Sequence, residues 1–159
     1  MKSCQSHRQP QTARLRRTIM AVKQLSVYLE NKPGRLLEQM KKLADAKINI
    51  RGMCIAEAND FGIVRLIVPE ISKAKKVLEE DALVTVTKVV GVEMKDEAGA
   101  LSDILTVLAE GKINIEYMYA SPTSVNGRAF VILRVSDCDS AERCLTDKGI
   151  PVLYGTEYQ

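Results

Sequence analysis

Residues 34–50 read Gly-Arg-Leu-Leu-Glu-Gln-Met-Lys-Lys-Leu-Ala-Asp-Ala-Lys-Ile-Asn-Ile, and residues 99–115 read Gly-Ala-Leu-Ser-Asp-Ile-Leu-Thr-Val-Leu-Ala-Glu-Gly-Lys-Ile-Asn-Ile. The two stretches align at a constant offset, and both end in Lys-Ile-Asn-Ile. Self-similarity at a fixed period marks a duplicated structural unit. The same offset pairs Met53 with Met118. Further on it grows by two residues, so that Ala74 matches Ala141 and Leu78 matches Leu145. The change places a two-residue insertion in the second copy, around Ser121 to Gly127.

Ahead of the first copy of the repeat, Leu25, Val27 and Leu29 alternate with polar residues, the period of a half-buried strand. The period then changes. Leu36, Leu37, Met40, Leu43 and Ala44 predict one face of a helix, repeated by Leu101, Ile104, Leu105, Leu108 and Ala109. Asn59-Asp60 is a turn signal between two strand-like runs, Ile48 to Glu57 and Ile63 to Val68, which predicts a hairpin closed by Pro69. A second helix follows on Ile71, Ala74, Val77 and Leu78. The apolar run Val84 to Val92 must then serve as the last strand of copy one and the first of copy two.

Each copy therefore reads strand, helix, strand, strand, helix, strand. This is the α+β, ferredoxin-like βαββαβ pattern, an antiparallel four-stranded sheet with two helices on one face. The expected division is a basic tail over 1–20, one unit over 21–87 and a second over 88–159. A unit of about 65 residues is marginal alone, so the copies are expected to pack side by side into one continuous sheet with a pseudo-twofold relation. Pairing into a homodimer would follow the same logic.

The chain of 159 residues is 46% hydrophobic and 27% charged, the composition of a soluble globular protein. Its net charge of +3 is unevenly placed. Lys2, Arg8, Arg14, Arg16 and Arg17 lie in the first 19 residues with no acid among them, leaving 18 basic and 20 acidic residues for the rest. The excess of positive charge thus belongs to a segment that reads as disordered and non-native to the fold, which removes the electrostatic case for nucleic acid. No apolar run approaches the roughly 20 residues of a membrane span. Cys4, Cys54, Cys138 and Cys144 form no regular framework, as in a reducing cytoplasm, and the single histidine is His7 in the tail. Ser-His-Asp, Cys-His and His-based metal sites are excluded from the body, so neither a catalytic residue, a metal nor a cofactor is expected.

The loop between the first strand and first helix is Glu30-Asn31-Lys32-Pro33-Gly34-Arg35-Leu36. Proline suits the first helical position, with Asn31 or Lys32 near the cap. A glycine in the first turn adds nothing to a helix but opens its N–H groups to a ligand, and an exposed helix start attracts carboxylates. Copy two keeps the glycine and leucine in Lys95-Asp96-Glu97-Ala98-Gly99-Ala100-Leu101. It replaces Asn31, Lys32 and Arg35 by Asp96, Glu97 and Ala100, so its electrostatics are reversed.

With these loops, the repeat and the Ile-Asn-Ile segments, residues 21 to about 157 resemble the ACT domain twice over, and the chain as a whole resembles the small stand-alone tandem ACT proteins of bacteria. The resemblance implies a regulatory sensor without enzymatic activity that binds a small effector, most often an amino acid, at the interface of paired units. It implies contacts from Asn31, Pro33, Gly34, Arg35, Leu36, Asn49 and Ile50 in copy one. The matching set in copy two is Asp96, Ala98, Gly99, Ala100, Leu101, Asn114 and Ile115, with Asp96 suited to an ammonium group. It leaves open a regulated enzyme or transporter as partner.

Plainer readings stand beside these. Asn49 and Asn114 follow helix ends, where asparagine caps in left-handed geometry. Gly34 and Gly99 could permit close helix-to-sheet packing, and Arg35 could be a solvated charge. Tyr117 and Tyr119 share a sheet face, which suits packing. The same topology belongs to RNA-recognition folds, with fragments around Tyr28 and Phe130 as the partial match, and a protein-binding module without ligand is the third alternative.

Overall fold

One strand, β4 (Leu83–Lys95), runs through both halves of the protein. The computed structural model describes residues 21–58, 61–125 and 128–155; the basic tail and the Asn59-Asp60 turn lie outside them. Before β4 come β1 (Val22–Glu30), α1 (Arg35–Asp45), β2 (Gly52–Ala58), β3 (Phe61–Ile67) and α2 (Ile71–Leu78). After it come α3 (Ala100–Glu110), β5 (Ile115–Val125), β6 (Arg128–Val135), α4 (Cys138–Asp147) and β7 (Val152–Leu153).

The strand order is β2-β3-β1-β4-β6-β5, with β7 also on β4 and every pairing antiparallel. The first half of β4 pairs with β1, from Leu83 opposite Tyr28 to Val89 opposite Val22. Its second half pairs with β6 from Val90 onward, and with β7 at Gly91 and Val92. Two complete βαββαβ units are thus threaded on a single shared strand, the arrangement expected for the run Val84 to Val92. The longer hairpin arm β5 absorbs the insertion of copy two, with a register shift between Ser121 and Val125.

Each unit has its own core between sheet and helices. Leu25, Val27, Leu43, Val64, Leu66, Ala74 and Leu78 form one. Val90, Val92, Ile104, Leu108, Leu133, Ala141 and Leu145 form the other. The repeat-matched pairs Ala74/Ala141 and Leu78/Leu145 are all fully buried. On α1 the buried stripe is narrower and less apolar than the sequence pattern suggests. Gln39 and Leu43 are buried, Leu36 and Met40 partly so, while Leu37 is 57% exposed and Ala44 is exposed as well.

A third cluster joins the units. Val22, Ile67 and Val89 meet Tyr119, Ile132 and Leu153 on the sheet face turned away from the helices. Gln24 and Ser26 lie on that face and are buried, so the middle of β1 is covered on both sides rather than half-exposed. Phe130 packs against the same cluster, so one of the two aromatics behind the RNA-recognition reading is committed to the fold.

Helix ends correct one expectation. The left-handed residue after α1 is Lys47 (φ 61°), and after α3 it is Lys112 (φ 54°), not Asn49 or Asn114. Ile48 N–H donates to the Leu43 carbonyl and Lys47 N–H to the Ala44 carbonyl, the paired bonds of a Schellman turn, repeated at Ile113 and Lys112. The turn after α4 has the same bonds with Gly149 (φ 75°) in the left-handed place. A side chain in that geometry costs roughly 1–2 kcal/mol, part of which glycine returns as unfolded-state entropy. Lys47→Gly and Lys112→Gly are each expected to stabilise by up to about 1 kcal/mol, raising the unfolding midpoint by about 2–4 °C. Thermal unfolding checks this, and a fall in midpoint contradicts it.

Candidate functional site

The two glycines share an unusual backbone. Gly34 has φ 91° and Gly99 φ 96°, and each is the N-cap of the following helix. The Arg35 N–H donates to the Lys32 carbonyl and the Ala100 N–H to the Glu97 carbonyl, both at 3.3 Å. These are type II turns, with Pro33 and Ala98 at the second position and glycine at the third, where φ must be positive. Pro33 is therefore a turn residue ahead of the helix rather than its first residue, and neither Asn31 nor Lys32 caps it. No side chain caps α1 or α3. A Cβ built on Gly34 or Gly99 would meet nothing within 4 Å. Close helix-to-sheet packing is thus not the reason for either glycine; backbone conformation is, and it leaves the helix start open.

Around the first turn, Asn31, Pro33 and Gly34 are exposed, while Arg35 and Leu36 are half-buried, Leu36 against the first core. Lys32 binds Glu30 at 2.9 Å, and that hydrogen bond, with the lysine charge, holds the exposed Glu30 carboxyl below its usual range. Arg35 Nη1 donates to Glu38 Oε2 at 2.6 Å, so its charge is partnered rather than merely solvated. Its Nε is buried without a hydrogen-bond partner, as is Oε1 of Gln39 one turn on. Gln39 Nε2 donates to Asp81 Oδ1 at 3.0 Å, and Lys42 reaches the same oxygen at 2.8 Å. The turn is thus backed by a polar layer, Arg35, Gln39, Lys42 and Asp81, of which the sequence singled out only Arg35. Buried Gln39 could have been found only by noticing that it lies between Leu36 and Leu43 on the helix face.

The second turn is built differently. Ala100 and Ile104 stand where the first unit has Arg35 and Gln39. A cleft of about 360 Å³ opens there, lined among others by Glu93, Glu97, Ala100, Asp103, Arg128 and Pro151. Glu93 is ion-paired to Arg128. Asp96 is exposed and does not line this cleft; the acidic groups that do are Glu93, Glu97 and Asp103. Gly99 and Ala98 are exposed beside it, and Leu101 packs into the second core.

The remaining expected residues lie elsewhere. Met53 and Leu25 both align with Leu66, while Ala58 and Glu30 both align with Phe61. Asn49 and Ile50, ahead of β2, therefore sit at the opposite end of the unit from the Gly34 turn, separated by the length of α1, about 16 Å for eleven residues. Asn49 is exposed and Ile50 packs against the first core. Asn114 likewise lies at the far end of α3, exchanging backbone and hydroxyl bonds with Ser136, and Ile115 packs into the second core. Within one unit the two parts of the expected site do not come together. Among the described residues no cluster of His, Cys, Asp and Glu has the geometry of a metal site, and no helix is long and apolar enough to cross a membrane.

Fold and turns together define a tandem of ferredoxin-like modules with an open glycine turn at each far end. The sequence profile of the ACT domain pair matches residues 20–154, and the chain belongs to that family. Protein BT0572 from Bacteroides thetaiotaomicron is 40% identical, with 87% of this chain and 96% of that one aligned at a TM-score of 0.81. The regulatory subunit of aspartate kinase from Thermus thermophilus, in its ligand-free form, shares the fold at 15% identity, with 80% and 93% of the chains covered and a TM-score of 0.61. The corresponding subunit from Thermus flavus aligns at 13% identity, 80% and 92% coverage and a TM-score of 0.58. No curated protein sequence matches the chain.

The polar layer gives a pH signature. The hydrogen bond from Lys42, then that from Gln39, holds the Asp81 carboxyl below its usual value. A carboxyl lowered by folding stabilises above its unfolded value of about 3.9 and loses that contribution as pH falls through the folded value. Unfolding midpoints at pH 6 and pH 3 are expected to differ less in Asp81→Asn than in the parent chain; an equal difference contradicts the assignment.

Proposed function

We propose that the protein is a non-catalytic regulatory sensor that binds an amino acid at the first glycine turn, completed by a second copy of the chain. The observation that carries this reading is the Gly34 turn: a left-handed backbone, an uncapped helix start and open space where a side chain would stand. Such a start attracts a carboxylate through its N–H groups and positive dipole end. Two buried polar atoms without partners, Arg35 Nε and Gln39 Oε1, stand just beneath it. The second turn, where Glu97 is paired with Lys95 and Asp103 lines the cleft, is less suited to a carboxylate.

Large exposed apolar side chains support the role of a second copy. Among the described residues they are Leu37, Met53, Ile55, Phe61, Leu83 and Val86, all in the first unit. Met53 and Ile55 lie on β2, the end strand of the sheet, with Leu37 on the neighbouring α1. A twofold axis beside β2 would pair two such edges antiparallel and cover these groups. It would also turn one unit end for end against the other, bringing the partner's Asn49 and the partner's Ile50 to the end that carries the Gly34 turn. The two parts of the site, held apart in one unit, then face one ligand. Ligand affinity for one pairing geometry over another is what would pass a signal to a regulated enzyme or transporter.

The test is thermal unfolding of the full chain against each common amino acid at millimolar concentration. At about a hundred times its dissociation constant a ligand adds roughly 2.7 kcal/mol, several degrees at this size. One or two amino acids are expected to raise the midpoint, and Gly34→Asp, which places a like charge at the carboxylate position, is expected to abolish the rise. No rise with any amino acid contradicts the ligand class. A rise that survives in Gly34→Asp contradicts the site.

A further inference from the structure

A glutamine in the middle of a strand buried on both faces needs partners for its amide, and two of the three that Gln24 has come from the other unit. Its Oε1 accepts from the Tyr119 hydroxyl at 3.0 Å, and its Nε2 donates to the Tyr117 hydroxyl at 2.8 Å and to Ser26 Oγ at 3.1 Å. Gln24 is wholly buried, and Ser26 and Tyr119 nearly so. The Arg65 guanidinium of β3 stacks 3.9 Å from the centre of the Tyr117 ring. The matching positions of the repeat offer no second copy of this network. Val89 and Gly91 stand where the register of the first unit has Gln24 and Ser26, and Gly52 and Cys54 stand for the two tyrosines. The network is therefore present on one side of the pair and has no counterpart on the other.

We propose that Gln24, Tyr117 and Tyr119 form a coupling latch that transmits a displacement of one unit to the other. The surrounding contacts of Val22, Ile67 and Val89 with Ile132 and Leu153 are apolar and without direction, so they tolerate sliding. Hydrogen bonds to a buried amide tolerate little, because they weaken steeply with distance and angle and their loss leaves buried groups without partners. Placement gives the latch its reach. Gln24 is on β1, the strand that ends at the Gly34 turn, and the tyrosines are on β5, the strand that begins just after Asn114. A shift of β1 along its axis must either break both tyrosine bonds or carry β5 with it. The proposal is independent of which ligand, if any, binds at the turns.

Native-state hydrogen exchange of the full chain tests it without a ligand. Leu43→Ala loosens the first core, which the latch residues do not join. In the parent chain this substitution is expected to speed exchange at Val131 to Leu133 of β6, in the other unit, by roughly tenfold. In a Tyr117→Phe/Tyr119→Phe background, which keeps both rings, the same substitution is expected to change β6 exchange by less than about twofold while still speeding Val64 and Leu66 of β3. A latch that merely stabilises would raise exchange in the background without changing the effect of Leu43→Ala. Retention of the full β6 response without the hydroxyls overturns the proposal, since continuity of β4 would then suffice. So does absence of a β6 response in the parent chain. Tyr119→Phe alone, which keeps the Tyr117 bond, is expected to give an intermediate response and serves if the double variant does not fold.

Discussion

The structure depends on β4 being one strand with two sets of neighbours. Between Val89, opposite Val22, and Val90, opposite Leu133, the backbone leaves β1 for β6 without a turn. The next residue, Gly91, has neighbours from both units. A Cβ there would stand 3.1 Å from Leu153 Cβ and 3.5 Å from Val22 Cγ2, so β7 and the start of β1 both close on this position and a side chain would have to push Leu153 aside. A linker of several free residues would have let each unit choose its own orientation. A shared strand removes that freedom, and it makes the units meet at the ends where their first strands begin.

From that junction the rest follows in order. The glycine turns, which follow the ends of β1 and β4, are carried to opposite extremities of the molecule. The segments after α1 and α3 remain near the middle. Within the first unit the glycine turn and the segment after the helix therefore stay at opposite ends. The units have also diverged. The first has an amide-backed turn whose cations are paired with Glu30 and Glu38 and, among the described residues, the large exposed apolar side chains, whereas the second has a cleft of mixed charge where Ala100 stands in place of Arg35. The second half is thus not a copy of the first in charge or surface.

Much of this was legible in the residues. The offset repeat specified the element order, the shared strand and the matched core residues, because burial under helices imposes the same apolar spacing on each copy. Positions governed by backbone geometry were not. Lys47 and Lys112 occupy left-handed caps that composition would assign to Asn49 and Asn114, since the Schellman bonds, not residue preference, decide where the chain reverses. Pro33 fits a type II turn as well as a helix start, and nothing in its identity separates them. Gln24 and Gln39 read as surface residues; each is buried because a distant element covers it, the second unit in one case and the Asp81 loop in the other. For the candidate site, the left-handed glycine turns follow from Pro33-Gly34 and Ala98-Gly99, but the separation of Asn49 from the turn is a property of helix length and strand direction taken together.

Subunit mixing tests whether one ligand is held by the turn of one chain and the Asn49 segment of another, as proposed. Gly34→Asp and Asn49→Asp homodimers would each lack a complete site, whereas a mixed dimer would contain one site with both defects and one with neither. Calorimetric titration with the amino acid that stabilises the parent protein should show no binding to either variant alone. After the two are mixed and re-equilibrated, binding should return at parent affinity and about half of a site per mixed-dimer chain. Binding that stays absent after mixing, with exchange of subunits verified by mass, would contradict the proposed shared site.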